Sequence, residues 1–183
     1  MRSNYMNTRT SGLSQAWGWL TKTITLSPSL EAYFEPLIQI ARPQWRADRI
    51  RSKIVSVREE SLDMFSLVIR PGRQFKTFEA GQYLELTVQK NGAWMSRFFS
   101  ISTSPRYLEQ TGLIEISIRI QDGGRITPWL PKALKAGSIV NLSQASGFFT
   151  LPSTKKPMLM IAGGSGITPF RSMLQQLSQE PFA

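Results

Sequence analysis

The sequence predicts a mainly β protein, in which a small antiparallel barrel follows a helical N-terminal extension and precedes a single β–α unit. Residues 113–120 alternate between isoleucine and polar side chains, which is the two-residue period of a half-buried strand. Glycine-containing turn sequences separate further short apolar segments. Near the C-terminus, an unbroken apolar run leads into a glycine-rich turn and an amphipathic segment. These three observations define three regions.

Residues 1–47 are predicted to form the helical extension, which would pack on the domain that follows. The region is rich in aromatic residues and has prolines at positions 28, 36 and 43. Ser27 is suited to cap a helix with Pro28 in its first turn. Pro36 would kink or end that helix.

Residues 48–152 contain the predicted barrel. Strands are expected at 52–57, 64–69, 83–88 and 113–120, with a hairpin turn at Asn91-Gly92. About six short strands at this spacing are typical of a small antiparallel barrel.

Residues 153–183 are predicted to begin a different, α/β domain. The apolar run 158–162 is typical of a strand buried on both faces of a parallel sheet. Thr168 and Pro169 are suited to the N-cap and first position of the next helix. Its apolar positions follow helical spacing: Phe170, Met173, Leu174 and Leu177.

The composition limits the chemistry that this chain can carry. Its 183 residues include no Cys and no His, which excludes a thiolate nucleophile, a cysteine-ligated cluster and a histidine base. The net charge of +10 would attract nucleic acid, anionic lipid, acidic proteins or phosphorylated cofactors. No apolar stretch has the length of a membrane span and no signal-like core follows the N-terminus, so a cytoplasmic location is expected.

The first chemical motif is RFFSIST, residues 97–103. On a strand, Arg97 and Phe99 would share one face while Phe98 and Ser100 share the other. An arginine can grip a diphosphate through two parallel hydrogen bonds, and an aromatic ring can stack on a planar cofactor. By itself, the motif is better explained as an ordinary edge strand with an exposed arginine.

Two further motifs follow in the barrel. In GGRITPWL, residues 123–130, glycines permit close approach of a ligand and Thr127 could cap a helix whose N–H groups bind a pyrophosphate. A plain strand–turn–helix junction is the alternative. QASGFF, residues 144–149, is either a functional loop or a turn with core aromatics.

The fourth motif is GGSGITPF, residues 163–170. It has the pattern Gly164-x-Gly166-x-x-Pro169, a glycine turn between a strand and a helix where open α/β domains bind phosphates. The acidic ribose-binding residue expected about twenty residues later would lie beyond Ala183.

In this order, the four motifs resemble those of the ferredoxin–NADP reductase superfamily. In that family, a Greek-key-type flavin-binding barrel with the signatures Arg-x-Tyr-Ser and Gly-x-x-Ser/Thr precedes an α/β nicotinamide domain. The resemblance covers residues 48–180, and the N-terminal extension is similar to that of bacterial reductases serving desaturases or oxygenases. It implies FAD as cofactor and NAD(P)H as electron donor.

The resemblance also implies roles for individual residues. Arg97 would bind the FAD pyrophosphate, Phe99 would stack on the flavin, and Ser100 would be the catalytic residue beside flavin N5, which accepts hydride. The implied FAD contacts are Arg97, Phe98, Phe99, Ser100, Ile101, Ser102, Thr103, Gly123, Gly124, Arg125, Ile126 and Thr127. The residues implied to approach the nicotinamide nucleotide are Gly164, Gly166 and Thr168.

This chain departs from the family pattern in two ways. Phe99 replaces the tyrosine, so stacking persists without the phenolic hydrogen bond. The later strands of the nicotinamide domain are missing, which predicts a truncated reductase with an uncovered apolar face formed by 158–162, Phe170, Met173 and Leu177. Metal ligation is not expected.

The implied function is electron transfer from NAD(P)H through FAD to an acidic ferredoxin-type iron–sulfur protein or a flavodoxin, in a desaturase or oxygenase system. The basic residues Arg42, Arg46, Arg49, Arg51 and Lys53 would steer that partner. A flavin-binding module without turnover is the alternative, because this chain carries chiefly the FAD-binding part. Nucleic-acid binding through a basic barrel is disfavoured by the ordered flavin motifs.

Overall fold

A computed structural model describes residues 49–153 and 157–179. The predicted helix that begins at Ser27, with the rest of the predicted extension, lies outside the described residues. The described residues belong to the second of two units that divide the chain after Ala47.

Six antiparallel strands form one sheet. They are β1 (Ile50–Ser61), β2 (Met64–Arg70), β3 (Tyr83–Lys90), β4 (Ala93–Ser100), β5 (Ile114–Arg119) and β6 (Ile139–Leu142). The order across the sheet is β4-β3-β6-β1-β2-β5. The helices are α1 (Pro105–Thr111), α2 (Leu130–Ala133) and α3 (Ile167–Gln179), with a 3-10 turn at Gly164–Gly166 before α3.

The two edge strands meet where the chain continues beyond β4. Ile101 forms an antiparallel bridge with Ile116 of β5, and the Ser102 N–H donates to the Glu115 carbonyl at 2.8 Å. The sheet therefore closes into a barrel, which confirms the predicted mainly β fold.

Alternation along the strands builds the core. In β5, Ile114, Ile116 and Ile118 are at most 1% exposed, and Leu84, Leu86 and Val88 of β3 are buried in the same interior. Asn91 and Gly92 both have positive φ, 51° and 78°, as a two-residue type I′ hairpin requires.

Two local helix predictions are wrong in detail. Thr127 does not cap α2, because its Oγ1 accepts a hydrogen bond from the Gln121 N–H at 3.0 Å and the N-cap is Trp129. Thr168 does not cap α3, which begins at Ile167; its hydroxyl donates to the Ser165 carbonyl at 2.8 Å.

The strand predicted at 158–162 does not form within the described part of the chain. Leu159 and Ile161 are 86% and 79% exposed, because no described segment lies beside this run to complete a hydrogen-bonded ladder. The helical half of the unit does form. Its apolar face is covered in part, since Met173 is 3% exposed and Leu174 is 52% exposed, and Phe170 meets Phe149 edge to face at 5.4 Å.

One helix was not predicted. Ser104 caps α1 by accepting a hydrogen bond from the Tyr107 N–H, Pro105 occupies its first turn, and Gly112 ends it with φ 67°.

Within the described residues, no helix combines the length and apolar composition needed to cross a bilayer.

Candidate functional site

An open cavity of about 330 Å³ lies beside the seam between β4 and β5. Its lining residues come from β4, β5, the loop after β5 and the start of α3: Arg97, Phe98, Phe99, Ser100, Ser117, Ile118, Arg119, Gln121, Gly124, Arg125, Ile126, Thr127, Ser165 and Thr168. Three of the four motifs therefore contribute to one site, which is what a single elongated cofactor would require.

The cavity is positively charged. Arg97, Arg119 and Arg125 line it, and no carboxylate does. Arg119 is paired with Asp63 at 2.8 Å, with both side chains more than half exposed. Arg97 donates to the Ser96 carbonyl at 2.7 Å and has no ion-pair partner among the described residues, so its charge remains available to an anion.

The antiparallel register places the RFFS residues. Phe99 lies opposite Leu84 and Arg97 opposite Leu86, so both stand on the face of β4 that borders the core, and Phe99 packs partly against it. Phe98 stands on the other face, 66% exposed. The predicted pairing of side chains across the strand is thus observed.

The loop after β5 holds a fixed shape that only glycine permits at position 124. The Gly124 N–H donates to the Gln121 carbonyl at 2.8 Å. A Cβ at position 124 would lie 2.7 Å from that carbonyl oxygen and 3.1 Å from Thr127 Oγ1. Lys90, at the end of β3, donates from Nζ to the Arg125 carbonyl at 2.8 Å, and this bond links the loop to β3. This narrow backbone turn beside three arginines fits a diphosphate group.

The glycine turn before α3 borders the same cavity. Ser165 and Thr168 line it, and a Cβ at Gly164 would lie 3.2 Å from Nη1 of Arg119. The hydroxyls of the fourth motif are therefore close to the barrel motifs.

Six predicted site residues do not line this cavity: Ile101, Ser102, Thr103, Gly123, Gly164 and Gly166. Ile101, Ser102 and Thr103 are buried. Ser102 Oγ donates to the Glu115 carbonyl at 2.9 Å, and the Thr103 carbonyl accepts from Ser172 Oγ at 2.6 Å. Their side chains and backbone serve internal packing here, and their implied flavin contact stays a prediction.

Sequence reasoning missed the contribution of β5. Ser117 and Arg119 line the cavity although the sequence identified them only as the polar face of a strand. Polar residues on a strand next to the RFFS strand would have identified them as site residues. The sequence did not show that β5 meets the end of β4 when the barrel closes.

A polar network lies on the outer face of β1, β2 and β5, beside the cavity. Arg58 pairs with Glu60 at 2.7 Å and with Glu115 at 3.2 Å. Burial alone would raise the pKa of Glu60, but hydrogen bonds with Ser66 and Arg58 and the arginine charge lower it below its ordinary value. The bond to Glu60 and the charge of Glu115 raise the pKa of Arg58.

A larger cavity of about 410 Å³ lies elsewhere, between α1, the loop before β3 and α3, with Phe78, Arg106 and Leu151 among its lining residues. It contains no residue of the four motifs. Size alone does not identify the site, and the convergence of motifs favours the cavity at the seam.

Two family descriptions match the sequence. The sequence matches the family described as oxidoreductase FAD-binding domain over residues 52–151, more than half of the chain. The chain belongs to the oxidoreductase FAD-binding domain family. In this flavin-binding family member, residues 160–182 also match the oxidoreductase NAD-binding domain, so the predicted cofactor pair, FAD and NAD(P)H, is confirmed at the level of the family.

Curated relatives of this FAD-binding domain are oxidoreductase components. An NADPH oxidoreductase of Mycobacterium tuberculosis is 32% identical over 76% of this chain and 37% of its own length. A flavohemoprotein of Pseudomonas putida is 34% identical over 74% and 34%, respectively. The toluate 1,2-dioxygenase electron transfer component of Pseudomonas putida is 31% identical over 71% and 37%. The chain spans about a third of the length of these relatives.

Solved structures show the same fold. A ferredoxin NADP+ reductase from Neisseria gonorrhoeae with bound FAD and NADP superposes with a TM-score of 0.61 at 26% identity, covering 74% of this chain and 52% of that one. The Amycolatopsis cytochrome P450 reductase GcoB gives 0.63 at 27% identity, covering 73% and 40%. The resemblance to the ferredoxin–NADP reductase superfamily is confirmed.

Proposed function

We propose that this chain binds FAD in the cavity at the β4–β5 seam and serves as the flavin part of an oxidoreductase that takes electrons from NAD(P)H. The observation that carries the proposal is the convergence of Arg97, Gly124 and Thr168 with their motif neighbours on one positively charged cavity. In domain terms, we propose the flavin barrel at 48–152 and the beginning of a nicotinamide domain at 153–183.

The residues divide the binding between them. The Arg97 guanidinium and the backbone around Gly124 hold the pyrophosphate, because a guanidinium without an ion-pair partner among the described residues and a glycine-limited turn line the same cavity. Phe99 presents its ring for stacking, and the Ser100 hydroxyl supplies a hydrogen bond at the end of β4. Bound FAD supplies the redox chemistry, accepting hydride and releasing electrons, while the protein supplies position and electrostatics.

Ser165 and Thr168 orient the nicotinamide nucleotide over the same cavity. Ser165 lies in the 3-10 turn before α3 and Thr168 in the first turn of α3, where helix N–H groups favour phosphate. Residues 160–182 match the oxidoreductase NAD-binding domain, and whether the 183 residues by themselves turn over NAD(P)H is the point that the experiment below decides.

The electron acceptor is an acidic protein, either a ferredoxin-type iron–sulfur protein or a flavodoxin. Relatives named as an electron transfer component of toluate 1,2-dioxygenase and a reductase component of phenol 2-monooxygenase support such a role. Arg51 and Lys53 are exposed on β1, and Lys53 lies opposite Arg70. Arg42 and Arg46 lie outside the described residues.

This basic face lies away from the seam, because β1 is separated from both edge strands of the sheet. Its residues therefore act through long-range attraction during encounter rather than by touching the flavin edge. Such steering weakens as salt concentration rises.

Anaerobic mixing tests the proposal. Purified protein is saturated with FAD, separated from free flavin, and mixed with NADPH or NADH while the visible flavin absorption is recorded. Rapid bleaching supports the oxidoreductase. Bound flavin that stays unbleached until dithionite is added identifies a flavin-binding module without turnover. Absence of bound FAD, together with salt-sensitive binding of single-stranded DNA, would reject both and favour a nucleic-acid-binding barrel.

A further inference from the structure

Glu115 is a buried carboxylate on the outer face of β5. Its side chain is 5% exposed, and both of its oxygens accept hydrogen bonds from Nη2 of Arg58 at 3.2 Å. Oε1 also accepts a hydrogen bond from Nη1 of Arg171. A buried charge persists only when it is paired and hydrogen-bonded, so the two arginines account for its presence.

The two arginines come from different parts of the structure. Arg58 belongs to β1 of the barrel, whereas Arg171 belongs to α3. Among the described residues, the Arg171–Glu115 contact is the ion pair that joins α3 to the barrel. Arg171 Nη1 also lies 3.4 Å from Ser117 Oγ, and Ser117 lines the cavity.

The spacing along α3 connects this ion pair to the cavity. Thr168 and Arg171 are three residues apart and therefore share a helix face. Thr168 lines the cavity, so the ion pair holds α3 less than one turn away, roughly 4.5 Å along the helix axis, from the part that faces the site. Two further bonds hold the helix: Ser172 Oγ donates to the Thr103 carbonyl at 2.6 Å, and Gln175 Oε1 accepts from the Ser104 N–H at 2.8 Å.

The segment before the turn gives little support from the other side. Residues 158–162 form no strand within the described part of the chain. A Cβ at Gly163 or Gly166 would meet no neighbouring atom within 4 Å, and one at Gly164 would meet, at 3.2 Å, only Nη1 of Arg119, whose side chain is more than half exposed. The placement of the turn therefore depends largely on the contacts of α3. The two that lie nearest to the turn along the helix are the edge-to-face contact of Phe170 with Phe149 and the ion pair of Arg171.

We propose that Glu115 is a positioning residue that, through Arg171, fixes the turn formed by Gly164–Gly166 and Thr168 over the flavin cavity. The inference rests on the proposed function for the nature of the ligand, but the placement itself can be measured without any ligand. Loss of the ion pair releases the turn while the barrel half of the cavity, including Arg97 and Gly124, keeps its shape.

Hydrogen–deuterium exchange on the 183-residue chain tests the placement. In Arg171→Met, amide exchange in a peptide covering residues 163–170 is expected to rise about tenfold, while the peptides of β1 to β6 stay unchanged. Arg171→Lys, which keeps the charge, restores most of the protection. Arg58→Met is the matched control, because it removes an arginine from the same carboxylate and leaves the link to α3 intact.

A flavin readout separates this inference from the proposed function. With FAD bound, NADP+ is expected to perturb the flavin absorption spectrum of the parent protein and of Arg58→Met. In Arg171→Met the perturbation is lost, while FAD affinity stays within about threefold because the residues proposed to hold the pyrophosphate are untouched.

Unchanged exchange at 163–170 in Arg171→Met overturns the positioning role. A rise in exchange that extends through the barrel strands also overturns it, because the ion pair would then stabilise the fold as a whole rather than the turn. Failure of the parent protein to bind FAD overturns the proposed function instead, and leaves the exchange comparison valid.

Discussion

Ser100, at the end of β4, and Thr168, in the first turn of α3, line the same cavity. One residue belongs to the motif that resembles a flavin signature, and the other belongs to the glycine-rich turn near the C-terminus. Their common site is the reason to expect that flavin and nicotinamide binding are carried by one centre, and the predictions below address its parts separately.

Arg97→Ala is expected to weaken FAD binding about 10- to 100-fold, because a charged hydrogen bond to phosphate contributes roughly 1.5–3 kcal/mol. Quenching of flavin fluorescence on binding measures the dissociation constant. Arg70→Ala is the control, since Arg70 is exposed on β2 and is absent from the cavity. Equal affinities in the two variants would remove Arg97 from the proposed site.

Phe99→Tyr is expected to bind FAD at least as tightly as the parent protein. Phe99 is only partly buried, at the edge of the core, so a phenolic oxygen can reach the cavity while the ring keeps its stacking position. Titration with FAD gives the comparison, and Phe99→Leu, which keeps apolar bulk without a ring, is the matched variant. Clearly weaker FAD binding by the tyrosine variant would show that the ring at position 99 does not stack on the flavin as we propose.

Gly124→Ala is expected to lower FAD affinity by tenfold or more, because its Cβ would meet the Gln121 carbonyl oxygen at 2.7 Å and must displace the loop. Gly163→Ala adds the same methyl group where no neighbour lies within 4 Å and φ is −124°, so it is expected to bind FAD normally. Similar losses in both variants would argue against a fixed loop.

Ile116→Ala is expected to lower the free energy of unfolding by about 2–5 kcal/mol, since it opens a cavity at a fully buried position where β5 meets Ile101 across the barrel seam. Ile139→Ala, at a position 49% exposed, serves as the control and should cost far less. Urea unfolding followed by circular dichroism measures both. A small effect at position 116 would mean that the seam contributes little to stability.

Acid is expected to destabilise the fold partly through Glu60. The pKa of Glu60 is lowered in the folded state from its ordinary 4.5, so its contribution is fully present above pH 4.5 and is lost as the pH falls through the lowered folded value. Because the side chain is 36% exposed, solvent screening keeps this contribution small.

Glu60→Gln is therefore expected to be less stable than the parent at pH 7 and to lose less stability between pH 5 and about pH 3. Urea midpoints at several pH values measure the difference, with Glu59→Gln as the control for removing a neighbouring exposed carboxylate. Parallel pH curves for Glu60→Gln and the parent would contradict the assignment.

Part of the site was predictable because its chemistry is local. The alternation in residues 114–118 and the Asn91-Gly92 turn specify strands and a hairpin wherever the segment lies, because side-chain direction and backbone φ are set within a few residues. The RFFS and GGRIT segments likewise carry, in consecutive residues, the groups that we propose to bind FAD. Helix α1 was also encoded locally by Ser104, Pro105 and Gly112, and was overlooked.

Other features depended on neighbours that no local pattern identifies. The run 158–162 has the composition of a buried strand, yet a strand exists only where another segment offers a ladder, and none of the described segments does. Thr127 and Thr168 have the right chemistry for helix caps, but nearer backbone partners, at Gln121 and Ser165, take their hydroxyl groups instead.

The sequence by itself determined four of the six barrel strands and the hairpin turn between β3 and β4, because alternation and turn residues act within a few positions. Its ordered motifs also carried the resemblance to the family. The tertiary structure alone decided that β5 supplies Ser117 and Arg119 to the cavity, that residues 101–103 are buried, and that Glu115 links the barrel to α3. Each of these three features depends on which distant segments pair when the barrel closes. The packing of the whole core determines that pairing, and no single segment contains enough information to do so.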